Sequence, residues 1–426
     1  MEALYQKYLE TRAISTDTRK IVKNSLFFAL KGPNFNANAF AAEALQRGAR
    51  YAVIDEAAYQ ADDRYILVDD ALAALQNLAR HHRKTLAIPV IGITGSNGKT
   101  TTKELVDAVL KKKYNTLATV GNLNNQIGVP LTMLKITPAV EIAIIEMGAS
   151  KVGDIEELSS IAIPTHGLIT NFGKAHLGGF GGFEGVIKGK SELYQSLLTT
   201  GGVPFLNSNN DIQQNMGKRF KNAIYFPGKE DFLHCKFLEA IPYVRYESES
   251  GQIVETNLIG RYNFDNICAA LCIGKLFEVE EAVCHEAVRS YIPDNNRSQI
   301  IKREDNTIVL DAYNANPDSM KAAIANLMAM KSANKAVILG DMLELGEVSE
   351  VEHRAIAKMV AEADFQYVFF CGPAMKTAAD EYPEAQWFED KSGLVKAIQE
   401  IKFRETTILI KASRGMGLEV LLEHIV

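Results

Sequence analysis

One stretch constrains this chain more than any other: Ile91-Gly92-Ile93-Thr94-Gly95-Ser96-Asn97-Gly98-Lys99-Thr100-Thr101-Thr102. An apolar strand, Pro89 to Thr94, runs into a turn of small residues. The pattern then predicts a helix from Thr100 to Lys112. In such a turn the backbone N–H groups converge, and the helix N-terminus adds positive potential. Gly95 and Gly98 let the backbone come close to phosphate oxygens. Lys99 is placed to neutralise β- and γ-phosphates, and the Thr100 hydroxyl can ligate Mg²⁺. The usual loop of this kind has glycine where Ile93 stands, so this is the shorter G-x-x-G-K-T form. The bland alternative is a lysine just after an ordinary strand–helix turn. The strand–turn–helix context favours a nucleotide phosphate site formed by Gly95, Ser96, Asn97, Gly98, Lys99, Thr100 and Thr101.

The rest of the chain repeats the alternation of strand and helix. Short apolar runs at Glu141–Glu146, Gly167–Thr170 and Val203–Asn207 alternate with helical stretches such as Phe183–Leu198. That order predicts a parallel sheet with helices on both faces. Residues 222–259 read differently, as a run of antiparallel strands that includes Ala223–Phe226, followed by a long helix from Asn263 to Phe277. Strands at Thr307–Asp311, Ala336–Gly340, Tyr367–Cys371 and Thr407–Lys411 predict a second doubly wound unit. Before the phosphate loop, the strands Leu26–Leu30, Tyr51–Ile54 and Tyr65–Val68 are joined by helices, with a turn at Lys31–Asn34. The expected fold is α/β in three domains. Residues 1–83 form a small mixed α/β domain, 84–295 a central P-loop-type doubly wound domain, and 296–426 a C-terminal Rossmann-like domain.

Composition narrows the function classes. The net charge is −6, so a nucleic-acid or anionic-membrane surface is not expected. The five cysteines are odd in number and include no C-x-x-C pair, which argues against a disulfide framework or a structural zinc site. Cys268 and Cys272 read as core packing. The polar start MEALYQKYLE does not read as a signal peptide, and no apolar run approaches the ~18 residues of a membrane span. A cytoplasmic protein is expected, with monomer as the default state.

Two further residues, Glu146 and His176, suit a phosphate-transfer centre. Glu146 ends the strand after the phosphate-loop helix, where strand ends face the ligand crevice; a solvated strand-end glutamate is the alternative. His176 lies in a glycine-rich loop, Asn171 to Gly182, after the next strand. Lys190 sits in Lys188-Gly189-Lys190-Ser191-Glu192 and, on residues alone, reads as a solvated helix lysine.

These pieces, in this order, resemble the Mur ligase family. Thr94 to Thr101 looks like its ATP loop, and Asn124-Asn125-Gln126-Ile127-Gly128-Val129-Pro130 its N-N-x-x-G-x-P stretch. Glu146-Met147-Gly148, the His176 loop and Lys188–Glu192 match the next motifs. Asp311-Ala312-Tyr313-Asn314-Ala315-Asn316-Pro317, Leu339 to Gly346 and Lys411 to Gly417 resemble the branch that adds a dipeptide. The resemblance implies ATP-dependent joining of D-alanyl-D-alanine to UDP-N-acetylmuramoyl-tripeptide through an acyl phosphate. It implies Lys99 as the phosphate lysine, and Thr100, Glu146, His176 and a carbamylated Lys190 around Mg²⁺. An unmodified ammonium would repel the metal; a carbamate would not.

Asn263 and Asn266 match the family's adenine-side motif, with Tyr262 where histidine is common. Without that match, Asn263 reads as a helix N-cap. Arg297 matches an arginine that reaches the ATP phosphates. Asp311, Tyr313 and Asn314 match a segment that lines the family's cleft once the domains close, which implies Asp311 near the ribose. Ser15, Asp17, Thr18, Arg19 and Lys31 match motifs that hold the UDP-sugar. Asn36–Phe40 departs from the family pattern, as does Ala412, where glycine is usual. Arg414 suits a substrate carboxylate or, equally, a surface ion pair.

Two other classes use the same loop. A phosphotransferase or switch-type NTPase would not need a second α/β unit with its own polar strand ends. A silent nucleotide-binding module would dispense with Lys99, Glu146, His176 or Lys190, and all four are present. The ligase reading also requires Lys99 and Asp311 to face one another across a closable cleft.

Overall fold

The strand Val90–Thr94 is buried along its whole length, as an apolar run covered on both faces requires. The computed structural model, which describes residues 1–425, places it inside a six-stranded sheet. The order is Ile224–Phe226, Val203–Asn207, His166–Ile169, Val90–Thr94, Ile142–Glu146, Thr116–Ala118. Every pairing in it is parallel. Chain order reverses at Val90–Thr94: the next two strands lie on one side, and the later ones on the other. The carboxyl ends therefore part there to form a crevice.

The period of two along each strand sorts side chains to two cores. Ile91, Ile93, Ile142 and Ile144 meet the helices Lys99–Leu110 and Tyr262–Leu276. Val90, Ala143 and Ile145 face the other way, toward the helices Asp154–Ala162 and Phe183–Thr200. Tyr8, Leu75 and Leu78 of the N-terminal unit pack into that second core. That unit is a four-stranded parallel sheet, Ile14–Ser15, Leu26–Phe28, Tyr51–Ile54 and Tyr65–Leu67. Its helix Ala71–Lys84 starts at Asp70, whose carboxylate accepts from the Ala73 N–H. The turn expected at Lys31–Asn34 is part of a hairpin, Lys31–Gly32 against Phe35–Asn36.

The third sheet runs Gln299–Arg303, Asn306–Asp311, Thr406–Lys411, Asn334–Gly340, Tyr367–Cys371, Gln386–Phe388. Only its first strand is antiparallel to its neighbour. As expected, Cys268 and Cys272 are buried in the core. Among the described residues no helix is long and apolar enough to cross a membrane.

Residues 222–259 correct the reading of the sequence. Ile224–Phe226 is not antiparallel; it extends the central parallel sheet beside Val203–Asn207. Phe226 drives this by joining the main core. The true antiparallel sheet comprises Lys236–Ala240, Tyr243–Glu247 and Ile253–Ile259. The unforeseen strands Thr116–Ala118, Lys236–Ala240, Gln299–Arg303 and Gln386–Phe388 all lie at sheet edges. An edge strand pairs on one side only, and so shows little apolar pattern.

Tyr194 fixes the Phe183–Thr200 helix to the central sheet. Its hydroxyl donates to the Phe205 carbonyl at 2.7 Å and accepts from the Ile169 N–H at 3.2 Å, within the core. Tyr194→Phe leaves both backbone groups buried and unpaired. It is expected to destabilise the protein by about 1–3 kcal/mol, read as a lower midpoint in urea denaturation.

Candidate active site

The carboxyl end of Val90–Thr94 opens into a cleft of about 1000 Å³ between the central and third units. Its floor is the phosphate loop. Gly98 has φ +79°, and a β-carbon there would lie 2.6 Å from Asn266 Oδ1. Both the conformation and the close approach therefore demand glycine. Thr170 Oγ1 and Asn171 Nδ2 donate to the Asn97 carbonyl at 2.5 and 3.0 Å, while Asn171 Oδ1 accepts from the Asn97 N–H at 3.0 Å. The Ser96 hydroxyl donates to the Gly173 carbonyl and accepts from its N–H, each at 2.9 Å. The loop is thus tied to the segment that carries His176.

Lys99 Nζ donates to the carbonyls of Gly95 and Ser96 at 2.8 and 3.2 Å. Desolvation lowers its pKa to about 8; Glu146 opposes that shift and Arg297 adds to it. Thr100 is buried against the cleft floor. Glu146 is buried, not solvated. Its Oε1 accepts from Asn124 Nδ2 at 2.8 Å, but Oε2 has no hydrogen-bond partner.

Lys190 is buried too, so the reading of a solvated helix lysine is wrong for this position. It stands behind the cleft wall. Its Nζ lies 3.5 Å from the carbonyl of Ala149, a lining residue, and 5.2 Å from the Phe180 ring centroid. Burial, and then the charge of Lys99, push its pKa well below the usual lysine value.

The opposite end of the cleft is polar and tightly paired. Asn263 is not an N-cap: it lies inside the Tyr262–Leu276 helix, and its Nδ2 donates to the Ile259 carbonyl at 2.8 Å. Asn266 donates to Asn263 Oδ1 and accepts from the Thr102 hydroxyl. Tyr262 hydrogen-bonds to Ser298 at 2.6 Å, and the Ser298 N–H donates to Asp311 Oδ1 at 3.2 Å. Asp311 Oδ2 accepts from the buried Lys411 at 2.6 Å. Arg297 lies 3.6 Å from the Tyr313 ring centroid, and its buried Nε is unpaired. Asn314 lines the same wall. Arg414 does both things expected of it, lining the cleft and pairing with Glu419 at 3.2 Å.

Lys99 and Asp311 line one cavity, as the ligase reading requires. The two units also touch directly. Asn316 Nδ2 donates to Asn97 Oδ1 at 2.7 Å, Lys174 pairs with Glu352 at 2.7 Å, and His176 Nδ1 lies 2.7 Å from Glu344 Oε2. Among the described residues no three His, Cys, Asp or Glu side chains cluster as a metal cage.

The structure does not bring every candidate to the cleft. Ser15 is buried, bonded to Ser25 at 3.0 Å and accepting from the Val22 N–H. Arg19 makes a two-pronged pair with Asp17 on the surface of the N-terminal unit, next to Thr18. Lys31 pairs with Asp55 at 3.1 Å. Gln76 links that unit to the cleft, donating to Glu157 Oε1 and the Gln126 carbonyl, both from lining residues. Asn124, Asn316, Glu344 and Lys411 belong to the site without having been assigned to it. All four stand in the matched motifs, but their roles depend on partners far away in the chain.

Comparisons with known proteins agree with this geometry. Residues 10–83, 93–274 and 296–414 match the models described as Mur ligase family, catalytic domain; Mur ligase middle domain; and Mur ligase, glutamate ligase domain. The UDP-N-acetylmuramoyl-tripeptide--D-alanyl-D-alanine ligase of Bacillus subtilis is 33% identical, covering 97% of this chain and 93% of its own. The Escherichia coli enzyme of that name is 31% identical, covering 96% and 92%. Crystal structure I of MurF from Acinetobacter baumannii superposes with a TM-score of 0.87 at 28% identity, covering 98% and 97%. MurF ligase from Thermotoga maritima, in complex with ADP, gives 0.87 at 26% identity, covering 98% and 97%. The chain belongs to the Mur ligase family.

Proposed function

We propose that this protein joins D-alanyl-D-alanine to UDP-N-acetylmuramoyl-tripeptide at the expense of ATP, the MurF reaction of peptidoglycan synthesis. The observation that carries the reading is the single cleft that unites a phosphate loop with the polar strand ends of the third unit. A free carboxylate is a poor acyl donor. In the proposed course it attacks the γ-phosphorus, the bond to the β-phosphate oxygen breaks, and ADP leaves. The amine of the dipeptide then attacks the acyl carbon, inorganic phosphate leaves, and the amine's proton is lost to the surroundings.

Negative charge develops in both steps, and the cations of the cleft are placed to meet it. Lys99 and Arg297 serve the phosphates, and Asp311, Asn263 and Asn266 the nucleoside end. Tyr313, Asn314 and Arg414 border the space for the peptide and dipeptide. The cross-cleft contacts of Asn97 and Lys174 hold the units together and keep water from the acyl phosphate. Arg19 and Lys31, exposed on the N-terminal unit with Asp17 and Thr18, are assigned to the UDP moiety. A reaction that consumes ATP and a UDP-linked precursor belongs to the cytoplasm.

The donor set also fits Mg²⁺. A carboxyl oxygen that is buried without a partner, as Glu146 Oε2 is, leaves room for a cation as its partner. Magnesium prefers few protein ligands, completed by phosphate oxygens and water. Thr100, Glu146 and His176 would hold it, with Lys190 as its carbamate. The bound metal would neutralise β- and γ-phosphate oxygens. Lys190 is suited to the modification because its desolvated amine sheds its proton readily; it then adds to CO₂, forming the N–C bond and releasing a proton.

Three outcomes are expected. Phosphate release from ATP requires both UDP-N-acetylmuramoyl-tripeptide and D-alanyl-D-alanine, with the UDP-pentapeptide found by mass spectrometry. The lysine and meso-diaminopimelate tripeptides are assayed in parallel. Release without the dipeptide, or none with either tripeptide, refutes the assignment.

In buffer stripped of CO₂ the rate falls, and bicarbonate restores it; Lys190→Ala shows neither response.

The third outcome concerns Lys99, whose pKa of about 8 lies below the ordinary lysine value. Bound phosphate favours its charged form, so above pH 8 binding must take up a proton. ADP affinity is therefore expected to fall as pH rises through 8, with proton uptake seen by calorimetry in two buffers. Lys99→Met loses that dependence and weakens binding by about 10- to 150-fold, the worth of a charge-assisted hydrogen bond.

A further inference from the structure

The contact between His176 and Glu344 differs from the other bridges across the cleft. His176 belongs to the loop after the strand His166–Ile169 of the central unit, Glu344 to the loop after Asn334–Gly340 of the third. Both residues have positive φ, +53° and +70°. Each backbone therefore pays a steric cost to aim its side chain at the other.

The loop behind Glu344 is closely held. The Met342 N–H donates to His353 Nε2, the Leu343 N–H to Ser413 Oγ, and the Met375 N–H to Asp341 Oδ1. Just beyond, Gly178 and Gly346 bring the two backbones together: a β-carbon on Gly346 would lie 3.3 Å from Gly178 Cα. This sets the separation at which the carboxylate reaches the imidazole.

A latch between the units would not need this pair. Lys174 already pairs with Glu352, and its N–H donates to Asp318 Oδ2 at 2.6 Å. Neither Lys174 nor Glu352 lines the cleft, whereas His176 and Glu344 both do. A carboxylate on Nδ1 selects the tautomer in which Nδ1 carries the proton and Nε2 keeps its lone pair.

We propose that Glu344 is a positioning residue. Supplied by the third unit, it fixes the ring and tautomer of His176, so that Nε2 is presented as a ligand only when the cleft is closed. The inference rests on the reading of His176 as a ligand of a divalent cation beside the transferred phosphate. A carboxylate carried on the opposite unit makes metal readiness depend on closure, so ATP is not activated in an open cleft.

The test uses full-length protein with a non-hydrolysable ATP analogue and Mn²⁺ as the probe, free Mn²⁺ being read by electron paramagnetic resonance. Scattering on the same samples reports closure. Glu344→Ala is expected to weaken the His176-dependent Mn²⁺ by about 10- to 100-fold, as loss of a partner to a ligating histidine does. The other Mn²⁺ and the closed shape stay unchanged. In turnover kcat falls while KM for ATP holds. Glu344→Gln, whose amide oxygen still accepts from Nδ1–H, recovers most of the Mn²⁺ affinity.

If His176→Ala loses that Mn²⁺ and Glu344→Ala does not, the proposal is overturned while the metal reading stands. If the Glu344→Ala loss appears only together with an opened shape, Glu344 is a latch and the proposal is again overturned. If His176→Ala keeps the Mn²⁺, the ligand reading itself fails.

Discussion

Lys99 and Arg297 share one region of the cleft with Lys190 just behind its wall, close enough that the charge of Lys99 depresses Lys190, and that of Arg297 depresses Lys99. Glu146 lies beside them as a buried carboxylate with one unpaired oxygen. Cations held this close cost free energy unless a partner arrives. The cleft is therefore built for incoming charge, and the polyphosphate of a nucleotide supplies it. The surrounding architecture holds this imbalance in place. The buried strand Val90–Thr94 fixes the loop, Tyr194 fixes the helix of Lys190 to the sheet, and Asn124 holds one oxygen of Glu146.

The two interfaces of the central unit are made differently, and the difference suits their tasks. Toward the N-terminal unit the contact is apolar and continuous: Tyr8, Leu75 and Leu78 share a core with Ile145 and Leu193. Toward the third unit the contacts across the cleft are polar bridges such as Asn97 to Asn316 and Lys174 to Glu352. Ile259 is the central-unit residue fully buried in the third unit's core. A shared apolar core resists separation, whereas hydrated polar pairs exchange readily with water. The cleft side is therefore the more easily parted of the two interfaces.

What the sequence disclosed follows from what is local. The phosphate loop is twelve contiguous residues, and its glycines, lysine and threonine carry their meaning in their spacing. Buried parallel strands show as apolar runs, so the central and third sheets were legible. Edge strands were not, and Ile224–Phe226 was placed in the wrong sheet, because pairing direction is set by where Phe226 is buried rather than by any local pattern. Lys190 read as a surface lysine because its burial is created by Phe180 and the cleft wall. Asn263 read as a cap because the helix begins one residue earlier. Glu344 and Lys411 were visible as motif members, yet their partners lie 168 and 100 residues away.

The departures from the family pattern show how the local chemistry was rebuilt. Tyr262, where histidine is common, spans from the central helix to Ser298 in the linker, and the Ser298 N–H holds Asp311. Through this phenol the Tyr262–Leu276 helix is coupled to Asp311 at a strand end of the third unit. Ala412 replaces glycine where the neighbouring strand has Gly340; a β-carbon on Gly340 would lie 2.7 Å from the Ala412 methyl. With alanine at 412, position 340 must be glycine. At Asn36–Phe40, Asn38 donates to Asp55 and Asn36 to Glu56, the two carboxylates that also hold Lys31. The hairpin is thus locked by neutral amides, and the Lys31 charge is offset before any ligand arrives. Any anion that bound there would have to displace Asp55 and Glu56 from Lys31. Arg19 is offset likewise, by a two-pronged pair with Asp17 two residues away, so both cations of this unit already hold carboxylates that an anion would have to replace.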